Sequence, residues 1–353
     1  MPAISLVVCL YKQRDLLERL LQHADGCYDD LVLIHDGPED EVRPPIDSLG
    51  IPGKAEPYIP TTDPFASRNP NNPEGTGIVV PSHLFPKMAV DFSIPGEADQ
   101  GNAFWRLKTG VPKPNSIHEL VGRYGGRTFE GVRQFTHEPH WPFAWSVCEN
   151  DWVLLWDADE YPDENLRRWL KAFREGVEQY EGISGFTCIW PLWNGRSSPS
   201  LVWPDGRLFL INRKKVRYCG IGEFRPQPDT EYQSLDLILH HRPDRKSYGY
   251  RNSVLRKMPY LWRRKIALSL LKTPLQLPRW RWSSDQWPQP FAKMVESPVQ
   301  YGLSAALLTW RWVAKSLWKH RLWRVLYSAP CAGWHHALIC LDLLLLRKLQ
   351  KVK

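Results

Sequence analysis

The sequence predicts an α/β fold: a mostly parallel sheet flanked by helices, followed by a basic, Trp-rich helical region. Three observations carry that prediction. ISLVVCLY (residues 4–11) is a continuous apolar run rich in β-branched residues, as a strand buried on both faces requires. A helical pattern and a second such run, DLVLIHDG (30–37), follow at once, and strand, helix, strand is a βαβ unit. Beyond residue 250 the composition changes to Arg, Lys, Leu and Trp.

The remaining elements follow in chain order. Leu16, Leu17, Leu20 and Leu21 recur at helical spacing over residues 14–23 and give that helix its sheet-facing side. Residues 50–116 break every period with eleven prolines, which predicts a long irregular insertion, either a lid or acceptor-binding flap or a disordered excursion. A helix is expected over 143–148 and a third buried strand over 152–156. The acidic turn 157–164 then feeds a helix over 165–173, with Leu166, Trp169, Leu170 and Phe173 on one side. Strands are expected at 183–190, 206–211 and 235–240. Residues 1–250 thus make one α/β domain carrying the insertion, and 251–353 a helical region.

Charge divides the chain in the same place. The net charge of +8 conceals +18 over residues 242–353, where 22 Lys and Arg face 4 Asp and Glu, and −10 over residues 1–241. The basic part also holds nine of the 18 tryptophans, a composition suited to anionic lipid headgroups; nucleic acid is the rival anion. Over 298–327, Leu303, Leu307, Trp310, Val313 and Leu317 recur every three or four residues, while Arg311, Lys315 and Lys319 fall on another face. The terminal apolar run is short and broken by Asp342, so a helix lying on the membrane is expected rather than one crossing it. The plainer alternative is a helix that covers the α/β domain or a dimer interface. The seven cysteines show no zinc-site spacing and no secretory signal opens the chain. Reduced thiols and a cytoplasmic location, peripheral at the inner face of the cell membrane, are therefore expected.

Chemistry concentrates in LLWDADE (154–160), an apolar strand that discharges Asp157 and Asp159 at its carboxyl end. Ligands of open α/β sheets bind beyond that end. Two carboxylates at alternate positions there can share Mg²⁺ or Mn²⁺, whose shell keeps room for diphosphate oxygens. Alone, a D-x-D is more simply a solvated turn that caps the next helix. Here it follows a buried strand and a βαβ start that itself ends in Asp36.

ISLVVCLYKQRDLLERLL, LVLIHDG and WVLLWDADEY together resemble the nucleotide-binding half of the family 2 glycosyltransferases, which have the GT-A fold. The resemblance implies a transferase that moves a sugar from a nucleotide-diphosphate donor to a saccharide or lipid-linked acceptor in cell-envelope glycan synthesis. It makes Asp36 the nucleotide contact, and Asp157 and Asp159 the pair holding metal and diphosphate. DGRLFLINRKKVRYCGIGEFRP and the following LILHHRPDRKSYGYRNSVLRKMPY are similar to the subgroup containing lipopolysaccharide-core glucosyltransferases. There Glu223 takes the place of an acceptor-side acid and His240 that of a strand-ending histidine. One departure stands out: His140-Trp141-Pro142 replaces the family's Ala-Arg-Asn, leaving Arg123, Arg127 or Arg133 to supply the diphosphate contact.

Glycosyl transfer builds negative charge on the departing diphosphate, which a divalent cation stabilises, and the attacking hydroxyl must lose a proton. Glu223 is the expected base, with direct attack and inversion; Asp236 is its reserve, and an exposed glutamate paired with Arg225 is the competing reading. His240 is expected as a third metal ligand or as a strand end bound to a carbonyl, and His241 to face the other way. The alternatives are a non-catalytic membrane- or nucleic-acid-binding protein on a degenerate α/β domain, and a metal-dependent phosphoesterase.

Overall fold

The computed structural model describes residues 3–39, 105–131, 137–193, 201–218, 225–242, 280–281 and 296–320, with isolated positions between 337 and 344. In chain order the elements are β1 (Ile4–Leu10), α1 (Arg14–Ala24), β2 (Asp30–Asp36), β3 (Trp105–Leu107), α2 (Ile117–Arg123), β4 (Arg127–Gly131), α3 (Trp141–Val147), β5 (Trp152–Leu155) and β6 (Glu160–Pro162). Then follow α4 (Glu164–Glu175), β7 (Gly185–Leu192), β8 (Leu201–Asn212), β9 (Val216–Arg217), β10 (Gln227–Pro228), β11 (Tyr232–His241) and α5 (Pro298–His320).

Nine strands form one sheet in the order β3-β4-β2-β1-β5-β8-β7-β11-β6, and β9 and β10 pair separately. Six of the nine run with β1, while β3, β6 and β8 run against it. The sheet is therefore mostly parallel in direction, flanked by helices, with β3 and β6 antiparallel at its two edges and β8 antiparallel between β5 and β7 in its interior. β1 and β2 are buried throughout because both faces are covered. Ile4, Leu6, Val8 and Leu10 meet the apolar sides of α1, α2 and α4. Val7 and Cys9 meet Phe143, Ala144 and Trp145 of α3 on the opposite face. Burial on both sides is why these strands read as unbroken apolar runs.

Local signals explain the helix starts. Ser116 accepts a hydrogen bond from the Glu119 N–H at 3.0 Å and caps α2; Asp163 accepts from the Leu166 N–H at 2.7 Å and caps α4. Asp163 thus does the capping that Asp157 and Asp159 would do in the plainer reading of the acidic turn.

The stretch that the sequence predicts to be irregular, residues 50–116, contains a strand. Residues 105–107 are the edge strand β3, which pairs antiparallel with β4, Trp105 opposite Gly131. Three residues are too few to show a period. Residues 50–104 lie outside the described part. The five described cysteines, Cys9, Cys27, Cys148, Cys188 and Cys340, are free thiols and buried. Helix α5 lies against β8, and among the described residues no helix is long and apolar enough to cross a membrane.

Candidate active site

The order β4-β2-β1-β5 means that the chain leaves β1 toward β2 on one side and reaches β5 on the other. In open α/β sheets the crevice at such a reversal, beyond the carboxyl ends of the strands, receives ligands. Three acids of this chain stand there. Asp36 ends β2, and Asp157 and Asp159 occupy the turn leaving β5. Leu10 pairs with His35, and Val7 with Leu155, so Asp36 and Asp157 flank the end of β1 from its two neighbours. Two strand spacings separate them, about 10 Å. Cys9 lies between: burial pushes its thiol pKa well up, and the charges of Asp157, Asp36 and Glu138 add to the shift.

Backbone bonds hold the acidic turn in one shape. The Glu160 N–H donates to the Asp157 carbonyl at 2.9 Å, and the Arg242 N–H to the Asp159 carbonyl at 2.7 Å. Glu160 returns the contact, its Oε2 accepting from the Asp157 N–H at 2.8 Å. β6 then pairs with β11, Glu160 opposite His241.

Basic side chains meet each carboxylate. Arg207 of β8 donates through Nη2 to Asp157 Oδ2 at 3.1 Å and through Nε to Glu160 Oε1 at 3.0 Å. His137 Nδ1 lies 3.7 Å from the other Asp157 oxygen. His241 Nε2 lies 3.3 Å from Asp159 Oδ2, with its ring stacked on Trp190 at 4.5 Å. Burial opposes ionisation of Asp157, but His137, Arg207 and His241 outweigh it and lower its pKa. Burial likewise opposes charging His241, and Asp159 overcomes it, raising the imidazole. Glu160 goes the other way: burial, helped by Asp157, pushes it up to about 7 against the pull of Arg207. Asp157 is thus held as the anion, with positive charge already facing it.

Asp36 is held differently. Trp105 donates its indole N–H to His140 Nδ1 at 2.9 Å, which leaves the proton on Nε2 to be donated to Asp36 Oδ1 at 3.0 Å. His140 is fully buried. Gly131 makes room for this chain of bonds, since a Cβ there would lie 2.8 Å from His140 Cε1 and 2.9 Å from Trp105 Nε1. Beside it, His35 closes the loop after β1: its Nε2 accepts from the Lys12 N–H at 3.3 Å and its Nδ1–H donates to the Gly37 carbonyl at 2.6 Å.

Several sequence expectations are placed elsewhere. The imidazole beside Asp159 is that of His241, not His240. His240 accepts from the Trp193 indole N–H at 2.9 Å. The register of β11 against β6, which sequence does not give, decides which of the two histidines faces the turn. Arg127 starts β4 and pairs with Asp30 at the opposite rim of the sheet, and Arg123 pairs with Glu18 of α1. Asp236 is exposed in β11, five residues short of His241 and therefore about 16 Å back along the strand. Glu223 and Arg133 lie outside the described residues. Arg207 has no place among the sequence expectations, although a charge leading into the buried apolar run LFLI was a usable signal.

No family model matches this chain, and no curated protein matches it. Among solved structures it is similar to the mannosyltransferase PcManGT from Pyrobaculum calidifontis in complex with GDP-Man and Mn²⁺, at 10% identity and a TM-score of 0.39, over 98% of this chain and 86% of that one. A likeness of that degree decides nothing about ligands or residues.

Proposed function

We propose that the chain is a glycosyltransferase of the GT-A type that uses a nucleotide-diphosphate sugar. The observation that supports this most directly is the placing of Asp36 and the Asp157/Asp159 turn on either side of the β1 carboxyl end. That spacing suits a ligand with a hydrogen-bonding base or ribose at one end and a diphosphate at the other. Asp36, its carboxylate fixed by His140, accepts from the nucleoside. Arg207 and His137 hold Asp157 in one rotamer, and His241 does the same for Asp159.

The donor set suits a hard divalent cation in kind, being two partly exposed carboxylates beyond a strand end. Among the described residues no three His, Cys, Asp or Glu side chains converge on one point. Mn²⁺ or Mg²⁺ held by Asp157 and Asp159 would therefore draw its remaining ligands from diphosphate and water, and would neutralise charge on the leaving group. Glu223 is proposed as the base for the acceptor hydroxyl, with inversion, on the strength of the sequence alone. The acceptor is a saccharide or lipid-linked glycan of the cell envelope.

The test is a thermal-shift screen of the full chain against nucleoside diphosphates, with and without Mn²⁺, followed by turnover of the corresponding nucleotide-sugars. Metal-dependent stabilisation by at least one nucleotide is expected. No stabilisation by any of them defeats the reading and leaves the non-catalytic alternative, whereas stabilisation and turnover undiminished in excess chelator defeat its metal-diphosphate part.

A further inference from the structure

Helix α5 carries a face that the α/β domain does not cover. Val313 is buried, and Gly302 sits so close to Cys340 that a Cβ would lie 2.6 Å from its Sγ. These mark the covered side. Val299, Leu303, Leu307, Trp310 and Trp318 are between 59% and 92% exposed. At 100° per residue these five fall within an arc of about 100° along the whole helix. A soluble surface helix puts such a stripe inward; here it points out. Leu341 and Leu344, just past Cys340, are exposed as well.

We infer that this stripe docks the protein on an anionic lipid surface. Charge decides between lipid and other apolar partners. Arg311 follows Trp310 at the margin of the stripe and is exposed, and Lys315 and Lys319 succeed it at helical spacing. Residues 242–353 together carry +18. Two copies meeting stripe to stripe would bring together the exposed Arg311 of each and two chains of net positive charge, whereas headgroups of negative charge attract both. Two exposed tryptophans fit the same occupant, since an indole settles at the boundary between acyl chains and water. The helix is too polar to cross the bilayer, so it lies in the interface plane with Leu303 and Leu307 directed into the lipid. An enzyme docked in this way would work on an acceptor presented at the membrane. That corollary rests on the transferase proposal; the docking itself does not.

Co-sedimentation of the full chain with vesicles tests it. Phosphatidylcholine vesicles doped with phosphatidylglycerol should pellet the protein, pure phosphatidylcholine should do so far less, and rising salt should weaken the interaction. Leu303→Asp combined with Leu307→Asp should weaken partitioning about tenfold or more. Leu303→Gln with Leu307→Gln does the same without adding charge, and far-UV circular dichroism checks that the helix persists in both. Failure to pellet with the anionic vesicles overturns the inference, as does undiminished pelleting of the folded double variants. A dimer seen by light scattering and dissolved by the substitutions, with lipid binding unchanged, makes the stripe a self-association face and overturns it too. Stabilisation by nucleoside diphosphates is read on the α/β domain, so either proposal can fail while the other stands.

Discussion

Aspartates stand at both rims of the sheet, and the two rims use them differently. At the amino rim, Asp29 Oδ2 accepts from the Ile4 N–H at 2.9 Å. Asp30 Oδ2 accepts from the Ser5 hydroxyl at 2.7 Å and the Glu149 N–H at 3.0 Å, while its Oδ1 meets Arg127 at 2.8 Å. These carboxylates satisfy strand starts and stitch β1, β2, β4 and the approach to β5 together. At the carboxyl rim, Asp157 and Asp159 are met chiefly by the side chains of Arg207, His137 and His241. Each amino-rim carboxylate holds a backbone N–H beside its side-chain partners, and that donor cannot leave without disturbing a strand end; the side chains at the carboxyl rim can turn aside for an incoming ligand. The same residue type is structural at one rim and available at the other because of what it is bonded to.

The largest expected effect separates the rims directly. Asp159→Asn should cut transfer about 10²-fold or more and cost less stability than the same change at Asp30, since it weakens one ion pair, that with His241. Asp30→Asn should cost about 2–3 kcal/mol of stability, because it withdraws charge from a buried cluster of donors, and leave turnover per folded molecule intact. Equal stability losses in both variants, read by chemical denaturation alongside activity, would erase the contrast.

A smaller effect tests how Asp36 is positioned. Gly131→Ala forces a methyl group against His140 and Trp105; overpacking of this kind costs about 1–3 kcal/mol. His140→Gln should retain more stability, yet it too should weaken nucleotide binding. Unaltered nucleotide affinity in both variants, measured by calorimetry, would detach His140 from the site.

The smallest effect concerns pH. Burial lowers the His35 pKa below that of a free histidine, so the unfolded chain takes up a proton that the folded one resists. Stability from this residue is complete above the unfolded value of about 6.5 and drains as pH falls toward the lower folded value. His35→Gln should therefore flatten the decline in melting temperature between neutral and mildly acidic pH. An equally steep decline in that variant would assign the sensitivity to other groups.

Much of the parallel half was legible. The runs at residues 4–11, 30–37 and 152–156 are doubly buried strands, and continuous apolar character is the direct imprint of that environment. Short or edge elements were not: β3, β4 and β6 are three to five residues long, below the length at which periodicity shows. The site divides in the same way. Asp36, Asp157 and Asp159 announce themselves by following apolar strands, a relation local in sequence. Arg207, His137, His140 and His241 become neighbours of those acids only through pairing across the sheet and the packing of α3.

Sequence by itself settled which segments are buried strands, where the acids lie relative to them, and that the basic charge is gathered at the end of the chain, because hydrophobic period and charge order are properties of neighbouring residues. Tertiary structure alone decided that Asp36 answers to His140, that His241 rather than His240 turns toward Asp159, and that the apolar stripe of α5 faces outward. Each depends on strand register or helix rotation, and a shift of one residue in either reverses which side chain meets which partner.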